Sequence, residues 1–261
     1  MSAISLLDKN IEVIINPLHG GRIEQIYFQS LPLLYVPLKE DNSTGWINHG
    51  GDFLWLAPQS KWGSWPPLAE FDQLAWKVLR SDDAVVVRSE VWNGVQLERK
   101  IFFEAGALIV NNSIKNVSED IKEWGLWNIS QLKNQDLEMN FISNDLKIFD
   151  FPPDITVEQL LLEGSIEKRN DRYIIDPNKS DDFKVGAVAS NNILTCNIGD
   201  VVMEKELVLP RNYDKTDFPH QCSIEVYKND YYLEAELVWP MTALKPGDCY
   251  IGTQKFNIYR R

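Results

Sequence analysis

Short alternating or β-branched runs, rather than helical periods, set the pattern of this chain. "IEVIIN" (11–16) leads into "PLHGGRIEQIYF" (17–28), and "AVVVRSEVW" (84–92) meets "VQLERKIFF" (95–103) across Asn93-Gly94. Asn-Gly between two such runs is the strongest short hairpin signal a sequence offers, because both residues tolerate the positive φ of a type I′ turn. "GALIVNNSIKNVS", "EWGLWNISQL", "KVGAVAS", "ILTCNIG", "VVMEKELVL", "CSIEVYKND", "YYLEAELVW" and "YIGTQKFNIYR" continue the series to the C-terminus. Strand-like segments recurring about every ten residues indicate an all-β sandwich or barrel rather than βαβ units. One helix is expected in "PPDITVEQLLLEG", with Asp154 as N-cap and Gly164 as stop. "DPNKSDDF" (176–183) reads as an exposed loop. No repeat or low-complexity linker divides the chain, so one β domain over 1–261 is the simplest account.

Composition narrows the partners. The 261 residues carry 44% apolar and 25% charged side chains, within the range of globular proteins. A formal net charge of −12, with no basic run beyond Arg260-Arg261, argues against nucleic acid. The three cysteines, Cys196, Cys222 and Cys249, form no C-x-x-C pair and no even framework. They predict free thiols in a reducing compartment. "MSAISLLDKN" lacks a basic region followed by an apolar core, and no run is long enough to span a bilayer. The expected location is therefore cytoplasmic, with no membrane partner and oligomeric state open.

Three constellations could carry chemistry. In "YYLEAELVWP", alternation places Tyr232, Glu234, Glu236 and Val238 on one strand face. Two carboxylates sharing a face fit either a wet sheet edge or a cleft, where desolvation would raise a carboxyl towards the range of a general base. Glu225 in "CSIEVY" is a third acid, belonging to the same cluster or to the surface. His19 lies in a turn, whereas His49 and His220 sit beside strand-entry signals and could each act as a general acid or as a loop hydrogen-bonding group. No two histidines stand at metal-ligand spacing, and no phosphate loop or G-x-S-x-G elbow occurs. No metal or cofactor is expected.

The third constellation is "NHGGDFLWLAPQSKWGSWPP" (48–67), which follows Trp46 and crowds Trp55, Trp62 and Trp65 among Asp52 and Gln59. Trp127 and Gly125 share one face of the later strand, and Trp124, Leu126 and Asn128 the other. Indoles cover the C–H faces of a pyranose, and Asp, Asn, Gln and Arg satisfy its hydroxyls, so these residues suit a small-ligand groove. Core packing competes for the same rings. Arg99 is placed in the groove as a holder of a ring hydroxyl or a charged substituent, with a surface ion pair as the competing assignment.

The order of "GGRI", "GGDFLWLAPQ…WGSWPP", "EWGLWNIS" and "YLEAELVWPMTALKPGD" resembles the galactose mutarotase-like superfamily over nearly the whole chain. The resemblance implies a supersandwich of two large antiparallel sheets with a concave binding groove. It also implies activity of the aldose 1-epimerase type, in which a carboxylate near a C-terminal Pro-Gly turn deprotonates the anomeric hydroxyl and a histidine protonates the ring oxygen. Spacing to Pro246-Gly247 makes Glu236 the nearest match for that base, with Glu234 next. The family's mid-chain histidine motif is replaced here by "WGLWNISQL", so the acid falls to His49 or His220. Three readings stand: an epimerase; a non-catalytic carbohydrate binder using Trp55, Gln59, Trp62, Trp65, Trp127, Asn128, Asp52, Arg99 and Glu225; and a sandwich whose groove is a protein interface.

Overall fold

The computed structural model describes residues 3–38, 45–63, 65–81, 83–149, 155–179 and 182–261. Among them, two antiparallel sheets of 11 and 10 strands account for most of the chain. The central strands of the first sheet run in the order Arg22–Phe28, Asp52–Ala57, Lys122–Lys133, Tyr232–Val238, Ile224–Lys228 and Phe183–Ala187. The second sheet is built around Val201–Val208, Cys249–Arg260, Ala107–Asn116 and Val95–Glu104. The expected hairpin forms across Asn93 and Gly94, both at positive φ (46° and 77°), between Ala84–Trp92 and Val95–Glu104. The helix covers Val157–Leu162 and is capped by Thr156, whose side chain and Gln159 form a reciprocal capping box. Asp154, the expected cap, lies outside the described residues. Gly164 follows the helix at φ +74°, as a helix stop requires.

Register decides what each sheet presents. Trp127 pairs with Trp55 and Val238, Ile129 with Phe53 and Glu236, and Gln131 with Glu234. On the next strand Glu225 opposes Glu236 and Tyr227 opposes Glu234, and beyond it Lys184 opposes Tyr227. Because strand side chains alternate, these residues share one face, and Asp52, Leu54, Asn128, Ser130, Ala235 and Leu237 point the other way, towards the second sheet. That inner face is the core, where Leu54, Leu126, Leu237, Val110, Met203 and Phe256 are fully buried.

The core contains a polar cluster. Arg99 pairs with Asp52 and hydrogen bonds Asn112 Oδ1 at 3.0 Å. Asn128 and Ser130 donate to the Asp52 carboxylate at 3.1 and 2.6 Å, and Lys205 Nζ donates to the Ala235 carbonyl at 2.6 Å. Burial works to raise the Asp52 carboxyl, but Arg99, Lys205 and Ser130 together bring it below its ordinary value. Burial pushes the Lys205 ammonium down to about 8 despite Asp52.

Candidate functional site

A cleft of about 760 Å³ opens on the face of the first sheet turned away from the core. Trp46, Trp55, Trp65 and Trp127 supply indole surface to it, with Phe149, Tyr227 and Tyr232. Its polar lining is Gln59, Lys184, His220 and Glu234. The early aromatic segment and the late acidic strand therefore converge on one hollow.

The indoles are fixed from behind. Asp72 is fully buried and accepts from Trp46 Nε1 at 2.6 Å and Trp55 Nε1 at 3.0 Å. Arg22, itself 1% exposed, neutralises Asp72 at 3.0 Å. Trp62 does not line the hollow; its Nε1 donates to the Leu56 carbonyl, and its ring packs edge-on against Trp55 at 5.4 Å. Trp65, about half exposed, forms the outer rim against Trp46.

Beneath the cleft lies a cluster of charged side chains. Lys184 Nζ sits 2.9 Å from both Glu225 Oε2 and Glu236 Oε2, and 4.5 Å from the Trp127 ring centroid. Trp127 Nε1 also donates to Glu236 Oε2 at 2.6 Å. His220 Nδ1 lies 2.7 Å from Glu225 Oε1, and its ring meets Trp127 edge-on at 5.2 Å. Glu225 and Glu236 directly oppose each other across the strand pair, an arrangement that is repulsive if both are ionised. The cluster divides the charge. Burial acts to raise Glu225, but Lys184 and His220 outweigh it and hold that carboxyl at about 2. Burial raises Glu236 to about 8, assisted by Glu225 and Glu234 and opposed by Lys184. The bias towards the anion is thus strongest at Glu225, and the bias towards the protonated form strongest at Glu236. Burial also raises Glu234, opposed by the hydrogen bond from Gln131 (2.8 Å), by Lys184 and by hydrogen bonding with Glu236.

The other sequence candidates lie elsewhere. Asp52, Asn128 and Arg99 do not line the groove but occupy the polar cluster between the sheets. Strand parity is the reason: Asp52 and Trp55 are three apart, Asn128 and Trp127 adjacent, so each pair must split between the faces. His49 stacks on His19 at 3.9 Å and hydrogen bonds Gln73 at 3.1 Å, beside a separate depression of about 180 Å³. Burial, with Arg22 and His19 nearby, lowers its imidazole below the ordinary value. Glu225 and Glu236 are fully buried under the floor, which leaves Glu234 as the cleft-lining member of the acidic set. Lys184, Gln131, Tyr227 and Phe149 complete the site without having been singled out. Nothing short-range marks Lys184, which reaches its place through pairing with a strand some 40 positions later, Ile224–Lys228.

A depression of about 460 Å³ on the second sheet is polar, but its groups satisfy one another, as in Asn197 with Glu138 and Tyr259 with Glu204. Among the described residues, no three His, Cys, Asp or Glu side chains group as metal ligands. No helix among them is long and apolar enough to cross a membrane.

No family model and no curated protein sequence matches the chain. Solved structures do. An Escherichia coli K12 protein described provisionally as an aldose 1-epimerase superposes with a TM-score of 0.71 at 14% identity, covering 100% of this chain and 99% of that one. A galactose mutarotase-like protein from Lactobacillus casei gives 0.67 at 11% identity over 99% and 100%. Another from Clostridium acetobutylicum gives 0.65 at 11% identity over 99% and 95%. These likenesses, with two large antiparallel sheets packed face to face, show that the chain has the galactose mutarotase-like sandwich fold.

Proposed function

We propose that the cleft binds a monosaccharide-sized carbohydrate and exchanges protons with it at the anomeric centre. The observation that carries this reading is the convergence of four indoles with Glu234 and His220 on one hollow. A volume of about 760 Å³ admits a pyranose, and indole faces match its C–H surface. Glu234, held by Gln131, is the acceptor for the anomeric hydroxyl proton. His220 is the donor to the ring oxygen: Glu225 engages its Nδ1 and leaves Nε2 as the other ring nitrogen. Same-face positions on a strand lie about 7 Å apart, so the Glu225–Glu236 row stands one such step from the Glu234 row. That step is the scale of a sugar ring. Glu236 serves in this reading as a neutral hydrogen-bonding neighbour of Glu234 rather than as the base itself.

Two measurements test it. Glucose and galactose should quench tryptophan fluorescence saturably, with the response weakened in Trp65→Ala. The wild type should also accelerate mutarotation followed by polarimetry, and Glu234→Gln and His220→Ala should each lower kcat by about 100-fold or more. Saturable binding without any acceleration over buffer removes the proton-transfer role and leaves a carbohydrate binder. Absence of both binding and acceleration removes the whole reading.

A further inference from the structure

The acidic cluster beneath the cleft is electrostatically incomplete. Lys184 serves Glu225 and Glu236, and His220 serves Glu225. Glu234, only 8% exposed, forms no ion pair among the described residues: Gln131, Tyr227, Tyr232 and Glu236 adjoin it, and Lys184 and Lys205 act on it only from beyond ion-pair distance. A buried carboxylate with no directly paired cation is costly, and burial still outweighs the distant lysines at Glu234, so a cation arriving from outside would stabilise it. Its surroundings specify that partner. Tyr227 faces Glu234 across the strand pair, and Tyr232 precedes it by two on the same face. The two rings stand edge-to-face with centroids 6.2 Å apart. Aromatic faces beside a carboxylate attract an organic ammonium through their quadrupoles. A bare metal ion would need several oxygen ligands, which this ring-lined corner does not supply. Nor does the cleft suit an anion. Lys184 is the sole lysine or arginine among its described lining residues, and two carboxylates already hold it at 2.9 Å.

We propose that the ligand is a sugar bearing a protonated amine next to its anomeric carbon, with the ammonium seated on Glu234 between Tyr227 and Tyr232. This rests on the carbohydrate reading of the same cleft and adds its substrate class. An amine vicinal to the anomeric hydroxyl brings both donors to one carboxylate. The ligand thereby supplies the charge that the fold leaves out, and sugar phosphates and uronates are disfavoured by Glu234 itself, because Lys184 is already held by two carboxyls.

Isothermal titration calorimetry with glucosamine, glucose, N-acetylglucosamine and glucose 6-phosphate tests the assignment, at about pH 6 where the amine is protonated. Glucosamine should bind about tenfold or more tighter than glucose, with N-acetylglucosamine no better than glucose and glucose 6-phosphate weakest. In Glu234→Gln the ratio of glucosamine to glucose affinity should fall to near unity, whatever the change in the affinity for glucose itself. Circular dichroism and the urea midpoint confirm that this variant folds. Equal affinity for glucosamine and glucose, or a preference for the phosphate, overturns the inference and leaves the carbohydrate cleft standing. Failure of all four ligands to bind overturns both. A glucosamine preference that survives in Glu234→Gln places the ammonium elsewhere and also refutes the assignment.

Discussion

Replacing Glu236 by Gln should make the protein more stable, and by an amount that depends on pH. Glu236 is fully buried, with its carboxyl raised from 4.5 to about 8 by burial and by the acids beside it. A folded state that binds a proton more tightly than the unfolded chain is favoured at low pH. That advantage is complete below the unfolded value near 4.5 and is lost as pH rises through about 8. The displacement from 4.5 to about 8 corresponds to about 5 kcal/mol as an upper bound, because Glu234 shares in holding the proton. Gln keeps a carbonyl for Trp127 Nε1 and Lys184 Nζ, so the hydrogen bonds to Oε2 survive while the titration is removed. Urea unfolding read by fluorescence at pH values from about 5 to 8 gives both stability curves. The wild type should lose up to about 1.4 kcal/mol per pH unit relative to the variant across that window. Parallel curves, or a wild type gaining stability relative to the variant, would refute the claim that Glu236 is neutral in the folded protein.

Other consequences follow from the same geometry. Asp72→Asn leaves Arg22 buried without its partner and should cost about 3–5 kcal/mol in urea unfolding. It should also weaken sugar-induced quenching, since Trp46 and Trp55 are both anchored on that carboxylate. Arg99→Met should cost a similar amount, about 3–5 kcal/mol, by stranding Asp52 between the sheets. Sugar affinity of the folded Arg99→Met fraction should be unchanged, whereas a groove role for Arg99 would lower it. Gly186→Ala places a methyl 2.9 Å from Cys222 Sγ and the Ile224 carbonyl, and 3.0 Å from Glu225 Cγ. It should destabilise by about 1–3 kcal/mol, and a neutral result would mean that Glu225 is held less firmly than its contacts indicate.

The strands were legible because their signal is local. Alternation and an Asn-Gly turn fixed the hairpin between Ala84–Trp92 and Val95–Glu104 without any knowledge of the partner sheet. The shared face of Tyr232, Glu234 and Glu236 was equally readable, because parity within one strand is a property of sequence alone. The same parity was enough to separate Asp52 from Trp55 and Asn128 from Trp127, once the strand bounds Asp52–Ala57 and Lys122–Lys133 are given. Alternation in "EWGLWNIS" already splits Trp127 from Asn128, and grouping Asp52 with Trp55 by ligand chemistry set the same constraint aside. Lys184 and Arg99 are different. Which carboxylate each lysine or arginine meets depends on strand order, and long-range pairing leaves no short-range trace: Arg99 reaches Asp52 across 47 positions, Lys184 reaches Glu236 across 52.

The acidic cluster also argues that this face of the sheet is shaped by something other than stability. Nothing in the register requires Glu225 opposite Glu236, and β-branched residues would fill the same cross-strand positions without repulsion or burial cost. Instead two carboxyls share one lysine, with Glu236 biased towards its neutral form, and a third, Glu234, faces the cleft without an ion pair. The contrast with the opposite face of the same strands is instructive. There Asp52 is also fully buried, yet Arg99, Lys205, Asn128 and Ser130 surround it, as expected of a charge retained inside a folded core. Two buried acid sites lie on the two faces of one sheet, one closed by the protein's own cations and the other left open towards a hollow lined with indoles. Complementarity supplied from outside accounts for the second, and strongly perturbed groups in a cleft are where such chemistry concentrates.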